Sequence, residues 1–303
     1  MRTENFRACR KWLAIISLAV TAYIWYLALA PSPKDFRAVF LDVGQGDSIL
    51  IRTPSGHTAL IDGGGKSQGD DGSSIGLRLV EPVLRREGIN RIDVLVLTHP
   101  HEDHIQGLLP VLKDFRIGMV LDPALPCETE SYQEFLALVK SRHIPYKRAK
   151  RGQIVDFGDG VTASVLHPPT ARLVGTEDDD NNNSIVLRLR FGKSALLLSG
   201  DAEMDAEADI LASGARVRSD VLKVGHHGSR FSTSEQWLDS VNPRVAVISV
   251  GRSNLFGHPS RETLGRLSVR RIRILRTDEN GPITVRFSSE SSSNLVAIPS
   301  TGD

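Results

Sequence analysis

Directly behind the apolar run Val94–Leu97 the chain reads Thr98-His99-Pro100-His101-Glu102-Asp103-His104, three imidazoles and two carboxylates within six positions. An all-apolar run of this length reads as a strand buried on both faces. Polar groups crowded at its end are costly unless something compensates them. A divalent metal does so, because neutral imidazole nitrogens and carboxylate oxygens are natural ligands of zinc and its neighbours. A strand end followed by a tight loop aims His99 and His101 at one ion, and a helix beginning near His104 turns Asp103 and His104 towards a second. The bland alternative is a solvated polar loop.

Two later strand ends add matching groups. Leu196–Leu198 runs through Ser199-Gly200 into Asp201, and Val221–Val224 runs through Gly225 into His226-His227-Gly228-Ser229. Alone, Gly-Asp is a turn or helix cap, and His-His is one ligand with a polar neighbour. With Phe256-Gly257-His258-Pro259, six of the nine histidines fall into three strand-end motifs. The isolated His57, His143 and His167 read as surface or packing residues.

Strands are expected at Ala38–Val43, Ser48–Thr53, Thr58–Ile61, Val94–Leu97, Val161–Leu166, Ser184–Arg190, Ala195–Leu198, Val221–Val224, Val245–Val250 and Ile272–Leu275. Helices are expected at Leu77–Glu87, Ser131–Ser141, Ala202–Ala212, Ser234–Val241 and Arg261–Leu267. Many strands with interspersed helices in both halves imply two packed sheets with helices outside, an α/β (α+β) arrangement over residues 34–287. Gly63–Ser74 and Glu177–Asn183 are expected loops, and 288–303 a loose tail.

Residues 1–33 hold four bases and one acid, a net +3, so the other 270 residues carry −2 of the total +1. No global basic field draws this chain to nucleic acid, and any such role rests on a local site. Arg266, Arg270, Arg271, Arg273 and Arg276 form a local basic run, read first as solvated helix and strand faces. From Trp12 to Ala30 there are nineteen residues without a charge, enough at 1.5 Å per residue to cross a hydrocarbon core of roughly 30 Å. The expectation is one uncleaved transmembrane helix, a single-pass anchor in the cell membrane, with the four preceding bases inside and the main domain extracytoplasmic. The competing reading is a signal segment removed after Ala28-Leu29-Ala30, giving a secreted protein. The two cysteines, Cys9 and Cys127, supply neither a disulfide framework nor a cysteine zinc site.

The H-x-H-x-D-H motif with a downstream Asp and His at strand ends resembles the metallo-β-lactamase superfamily. A narrower string recurs in order: Phe40–Ser48 (FLDVGQGDS), Leu60–Gly64 (LIDGG), Asn182-Asn183-Ser184, Ser199-Gly200-Asp201, His226–Ser229 (HHGS) and Leu275–Asp278 (LRTD). It resembles the C-terminal domain of the ComEC competence family, without that family's channel. The resemblance implies a four-layered αββα sandwich preceded by the one N-terminal helix, with the site at the sheet edge. It assigns His99 and His101 to a first metal, Asp103 and His104 to a second, Asp201 to both, and His226 to completing the second, with His227 its substitute. Asp62 would support the ligand loop from behind. A superfamily histidine is missing where this chain has Asp180-Asn181-Asn182-Asn183-Ser184, so one site is expected to be weak, or held by an oxygen ligand or water.

The implied cofactors are two divalent ions, zinc or manganese. The implied activity is a metal-dependent hydrolase, a phosphodiesterase or nuclease acting on DNA or another phosphodiester through metal-activated hydroxide. Asp103, His227 and His258 form the expected catalytic set, with His258, Ser229 and Asn183 at the substrate and His258 or His227 protonating the leaving oxygen. The implied partners are the phosphodiester and, through the anchor, the membrane. Rival readings are hydrolysis of lactam, ester or thioester bonds, and a non-catalytic nucleic-acid or partner-binding module. The Gly-rich Gly44-Gln45-Gly46-Asp47 lacks a phosphate-loop ending and reads as a turn near the site's mouth.

Overall fold

A computed structural model describes residues 12, 16, 17, 20, 21, 36–65, 73–287 and 296–299. Two compact units divide the chain, Met1–Lys34 and Asp35–Asp303. In the first, Trp12, Ile16, Ser17, Val20 and Thr21 are helical and exposed. The rest of the expected anchor Trp12–Ala30 lies outside the described residues, among which no helix is long and apolar enough to cross a membrane.

The second unit carries seventeen strands: β1 Phe36–Phe40, β2 Ile49–Arg52, β3 Thr58–Ile61, β4 Arg91–Ile92, β5 Val94–Val96, β6 Arg116–Ile117, β7 Val120–Asp122, β8 Tyr146–Arg148, β9 Ile154–Asp156, β10 Thr162–His167, β11 Val186–Phe191, β12 Ser194–Leu198, β13 Val221–Lys223, β14 Val245–Ile248, β15 Arg273–Arg276, β16 Ile283–Phe287 and β17 Val296–Pro299. One sheet runs β17-β16-β1-β2-β3-β5-β7-β8 and the other β15-β14-β13-β12-β11-β10-β9, with β4 and β6 as a small separate pair. In the second sheet β12, β13, β14 and β15 are parallel, so their carboxyl ends share one edge.

Strand side chains alternate between faces, and the chain uses both. Ala38, Phe40, Ile49, Ile51, Ala59 and Ile61 meet Val165, Leu187, Leu189, Leu196 and Leu198 between the sheets. The intervening Val39, Leu50 and Leu60 pack outward against Leu84, Leu108, Leu112 and Phe135, from the helices Glu81–Arg86, Leu108–Asp114 and Glu130–Ser141. Leu197, Leu222 and Ala246 do the same against Ala206, Ile210, Trp237 and Leu267. The result is the helix-sheet-sheet-helix order expected from the sequence.

Three expectations change. The helix expected at Leu77–Glu87 begins at Ser73, inside the expected loop Gly63–Ser74, and passes through a π-turn at Gly76–Val80. A Cβ on Gly76 would lie 2.4 Å from both Gly107 O and Pro110 Cγ, which ties this turn to the next helix; Leu77 and Leu79 are thereby exposed. Leu108–Asp114 is helical although Pro110 lies inside it, because proline is tolerated in a first turn. Of the tail 288–303, Val296–Pro299 forms a strand on β16.

His167, read as a packing residue, is wholly buried, with Nδ1 3.2 Å from Ser184 O. Burial first, then Arg151, pushes its pKa down to about 4. The unfolded imidazole titrates near 6.5, so the unfolded chain binds the extra proton between these values and stability falls as pH drops through that window. Urea midpoints at pH 7.5 and 5.0 should therefore drop less on acidification in His167→Gln than in wild type. An equal drop would remove this residue from the acid sensitivity.

Candidate metal centre

β3 ends at Ile61, and Asp62 adopts a left-handed conformation (φ 58°) that turns its carboxylate under β5. Asp62 Oδ1 accepts the Thr98 amide at 2.7 Å; its Oδ2 accepts the Thr98 hydroxyl at 2.6 Å and lies 2.9 Å from His104 Nδ1. His104 therefore presents Nε2 to the site, the arrangement by which a carboxylate fixes a metal-binding imidazole.

The short helix Glu102–Ile105 that carries Asp103 and His104 is pressed against the Gly-rich turn. A Cβ on Gly46, whose φ is +119°, would stand 2.0 Å from Asp103 O. Only glycine fits there, so Gly44-Gln45-Gly46-Asp47 is a wedge behind the ligands rather than a phosphate loop. Asp47 itself pairs with Lys223 Nζ, both fully buried. Lys223 also donates to Gly200 O at 3.0 Å and lies 3.6 Å from Asp201 Oδ1.

Asp201 is the point of convergence. Around its Oδ2 stand His227 Nε2 at 3.2 Å, His104 Nε2 at 3.3 Å, His99 Nε2 at 3.9 Å and His226 Nε2 at 4.0 Å. Asp103 Oδ2 lies 3.3 Å from His227 Nε2 and 3.9 Å from His104 Nε2. Asp103, His104, Asp201 and His227 place one ligand atom each within 4.8 Å of the others. Yet His99 Nε2, His104 Nε2, His227 Nε2 and Asp201 Oδ1 are buried without a hydrogen-bond partner. Such atoms cost free energy unless something else engages them, and a divalent ion fits this donor set.

His227, not His226, joins the tight group. Both residues have positive φ (52° and 43°), and the bend swings successive rings to different places. His227 Nδ1 lies 2.9 Å from Ser249 O, which orients Nε2 inward, where it could serve as a ligand. His226 Nδ1 instead lies 2.8 Å from Glu203 Oε1. The rings of His99, wholly buried, and His101, part-exposed, meet edge-on 4.6 Å apart, and His101 Nε2 is 3.9 Å from Asp180 Oδ2. They form a looser arc, with Asp180 as an oxygen group on the segment that lacks the expected histidine.

Asn183 and Ser229 make local hydrogen bonds. The Asn183 amide is used up by Leu173 and the Asp179 carbonyl, and the Ser229 hydroxyl accepts the Phe231 amide at 3.3 Å. His258 lies beside His226, ring centroids 5.4 Å apart. Burial, then His226 and His227, pushes its pKa down to about 4. A neutral imidazole at pH 7 suits orienting a substrate or water better than delivering a proton.

Sequence reading missed Asp47, Asp180, Glu203 and Lys223. Lys223 had a signal, a lone ammonium closing the apolar strand Val221-Leu222.

The remaining titrations express the same crowding. Burial, with His104 and His101, holds His99 well below its usual range. Burial opposes protonation of His104 and His227, but Asp201 and Asp103 overcome it, raising His104 well above its usual value and His227 to about 9. Asp103 and Asp201 are desolvated, yet the same imidazoles hold both below the carboxylate range.

Comparison with known proteins agrees with this geometry. Residues 41–252 match the model of the metallo-beta-lactamase superfamily. The chain is 32% identical over 256 residues to ComE operon protein 3 of Bacillus subtilis, covering 82% of this chain and 32% of that protein. It is 32% identical over 275 residues to competence protein ComA of Neisseria gonorrhoeae, covering 90% of this chain and 35% of that one. It thus spans about a third of the length of these relatives. Among solved structures, the metallo-beta-lactamase fold protein YhfI from Bacillus subtilis superposes with a TM-score of 0.54 at 12% identity, over 84% of this chain and all of that one.

Metal content separates the two neighbouring histidines. His227→Ala should lose metal from the tight group after desalting, whereas His226→Ala should keep it; the reverse pattern would return His226 to the ligand set. Gly46→Ala should stay folded by circular dichroism yet lose about 10-fold or more in metal affinity, the scale of disturbed outer support. Unchanged affinity would refute the wedge.

Proposed function

The chain belongs to the metallo-β-lactamase superfamily, and from that premise we propose that its Asp35–Asp303 unit is a metal-dependent phosphodiesterase with DNA as its foremost substrate. The observation that carries hydrolysis is the convergence of four imidazole nitrogens on Asp201 Oδ2. Divalent ions, zinc or manganese, would sit among Asp103, His104, Asp201 and His227 and, less tightly, at His99 and His101. When bound they supply Lewis acidity, offset phosphoryl charge and bring the pKa of a water near 7.

The chain's own residues do the positioning. Asp62 and the Ser249 carbonyl hold the Nδ1 sides of His104 and His227, so neither ring has to reorganise during reaction. Lys223 engages Asp47 and the Gly200 carbonyl beneath Asp201, fixing the turn that delivers its carboxylate. His258, held through its backbone by Asn254, is placed to orient a phosphoryl oxygen.

Two observations favour a phosphodiester over a lactam or thioester. Arg230 lies over the Phe231 ring on the segment that follows His226-His227, and an exposed Phe256 stacks on His258. Guanidinium groups with aromatic faces suit nucleotides, whereas a lactam or thioester site is better served by apolar walls. The likeness to competence protein ComA is in keeping with the ComEC resemblance, from which DNA is taken as the phosphodiester. The charge-free run behind four bases supports membrane anchoring with this unit outside the cytoplasm.

The metal-loaded protein should cleave bis-p-nitrophenyl phosphate and single-stranded DNA and leave nitrocefin intact. Asp201→Asn should lower kcat by roughly 10²-fold or more. Nitrocefin turnover without diester cleavage would move the reading to C–N bonds; bound metal without any turnover would move it to a binding module. A reporter fused after Asp303 that works only in the cytoplasm would overturn the topology.

A further inference from the structure

The four parallel strands β12–β15 have a second common edge, at their amino ends, on the far side of the sheet from Asp201. The β11–β12 hairpin brings Arg188, Arg190 and Lys193 there, and the segment before β13 brings Arg216 and Arg218. Arg244 precedes β14, its amide donating to Asp220 O at 2.9 Å. Arg188, Lys193, Arg216, Arg218 and Arg244 line a cavity of about 260 Å³, with Asp220 as the one carboxylate among the lining residues. Asp220 is committed to the fold, since its Oδ2 accepts the Ala195 amide at 2.8 Å. The residues that line the cavity and those that converge at the metal centre have no member in common, and the strand Ser194–Leu198 runs from one to the other.

Leaving Arg244 aside, Arg188, Lys193, Arg216 and Arg218 set four cations beside one carboxylate, a repulsion that a bound anion would ease. Arg188 shows it directly. It is only 8% exposed, and its Nε donates to Arg218 O at 2.9 Å, so its guanidinium is locked in place rather than free to swing into water. Burial, then the charges of Arg216 and Arg190, holds its pKa below the usual guanidinium range, with Asp220 opposing only in part. An anion entering the cavity would relieve that repulsion. The ligand chemistry follows from the donors: a planar guanidinium fork reads oxyanions bidentately, and phosphates above all. The cavity is small for a drug-sized molecule but ample for a phosphoryl group.

We propose that this cavity is a second binding site of the protein, taking phosphoryl oxyanions as carried by a nucleic-acid backbone or by free phosphate. It goes beyond the hydrolase reading and does not rest on it. With a strand as ligand, the site would hold phosphodiesters remote from the scissile bond, giving purchase on a long substrate that a small diester cannot use.

The test uses the full chain. Arg216→Glu with Arg218→Glu reverses two exposed charges at the cavity, and Arg116→Glu with Lys140→Glu makes the same change on a distant surface. Chelator-treated protein removes cleavage and metal-phosphate contacts from the signal. Fluorescence anisotropy of a labelled single-stranded 12-mer across a salt series should show binding by the cavity variant weakened about tenfold or more at low salt. Its log–log salt slope should be shallower by about 1.4, two contacts at roughly 0.7 each, with the distant variant unchanged. Inorganic phosphate should raise the melting temperature of wild type and not that of the cavity variant. Loss in both arms identifies the strand as ligand; loss in the phosphate arm alone supports the site with free phosphate as its occupant. Wild-type behaviour in both arms, from a variant whose circular dichroism is intact, overturns the proposal. Metal-loaded cavity variant should still cleave bis-p-nitrophenyl phosphate, so failure of the hydrolase reading would appear separately, as inactivity of the wild type.

Discussion

Asp201 is a buried anion around which one end of the molecule is organised. Its Oδ2 faces four imidazole nitrogens and its Oδ1 faces Lys223 Nζ at 3.6 Å. Burying a carboxylate costs several kcal/mol unless charge or hydrogen bonds replace water. The groups that do so come from two strand ends: His99 and His104 behind β5, Lys223 at the close of β13 and His226 and His227 just beyond it. The sheet edge is thus a requirement of the charge as much as a consequence of the topology. Parallel strands let the carboxyl ends of β12 and β13 meet, and the inter-sheet core of Phe40, Ile61, Leu196 and Leu198 brings β3 and β5 against them.

Outer groups decide which nitrogen each histidine offers. Asp62 takes the Nδ1 side of His104, the Ser249 carbonyl that of His227 and Glu203 that of His226. Three histidines alike in sequence therefore have distinct positions fixed by three unlike partners. The Gly46 turn acts one layer further out, through the backbone of Asp103. Small changes two layers from the ligands should be felt at the metal.

Much of this was legible in the sequence. The polar cluster at a buried strand's end announced the metal centre, and Thr58–Ile61 was bounded to the residue. The layers followed from alternating apolar runs. What stayed hidden has physical reasons. β8 is exposed along its whole length, and β9 buries only Val155, so neither shows an apolar run. Pro110 masked a helix. The choice between His226 and His227 was invisible because it depends on two left-handed backbone conformations that a histidine pair does not announce. Asn183 and Ser229 sit in motifs of functional appearance yet spend their side chains on loops, a distinction that only hydrogen-bond partners reveal.

The charge at the centre also bears on how divalent ions would bind. Asp47, Asp62, Asp103, Asp201 and Glu203 are carboxylates, and Lys223 is the lysine among them. With neutral histidines the formal charge is −4. The raised values of His104 and His227 are protons held where cations are wanted, so metal binding must displace them and weakens as pH falls. A first divalent ion would bring the charge to −2, and a second to 0. A second ion would thus meet half the negative charge, at the arc of His99 and His101 where the ligands are looser. Asp180, 3.9 Å from His101, returns one negative charge at that place. Half-exposed, it is an oxygen group available to an ion there, on the segment that lacks the expected histidine.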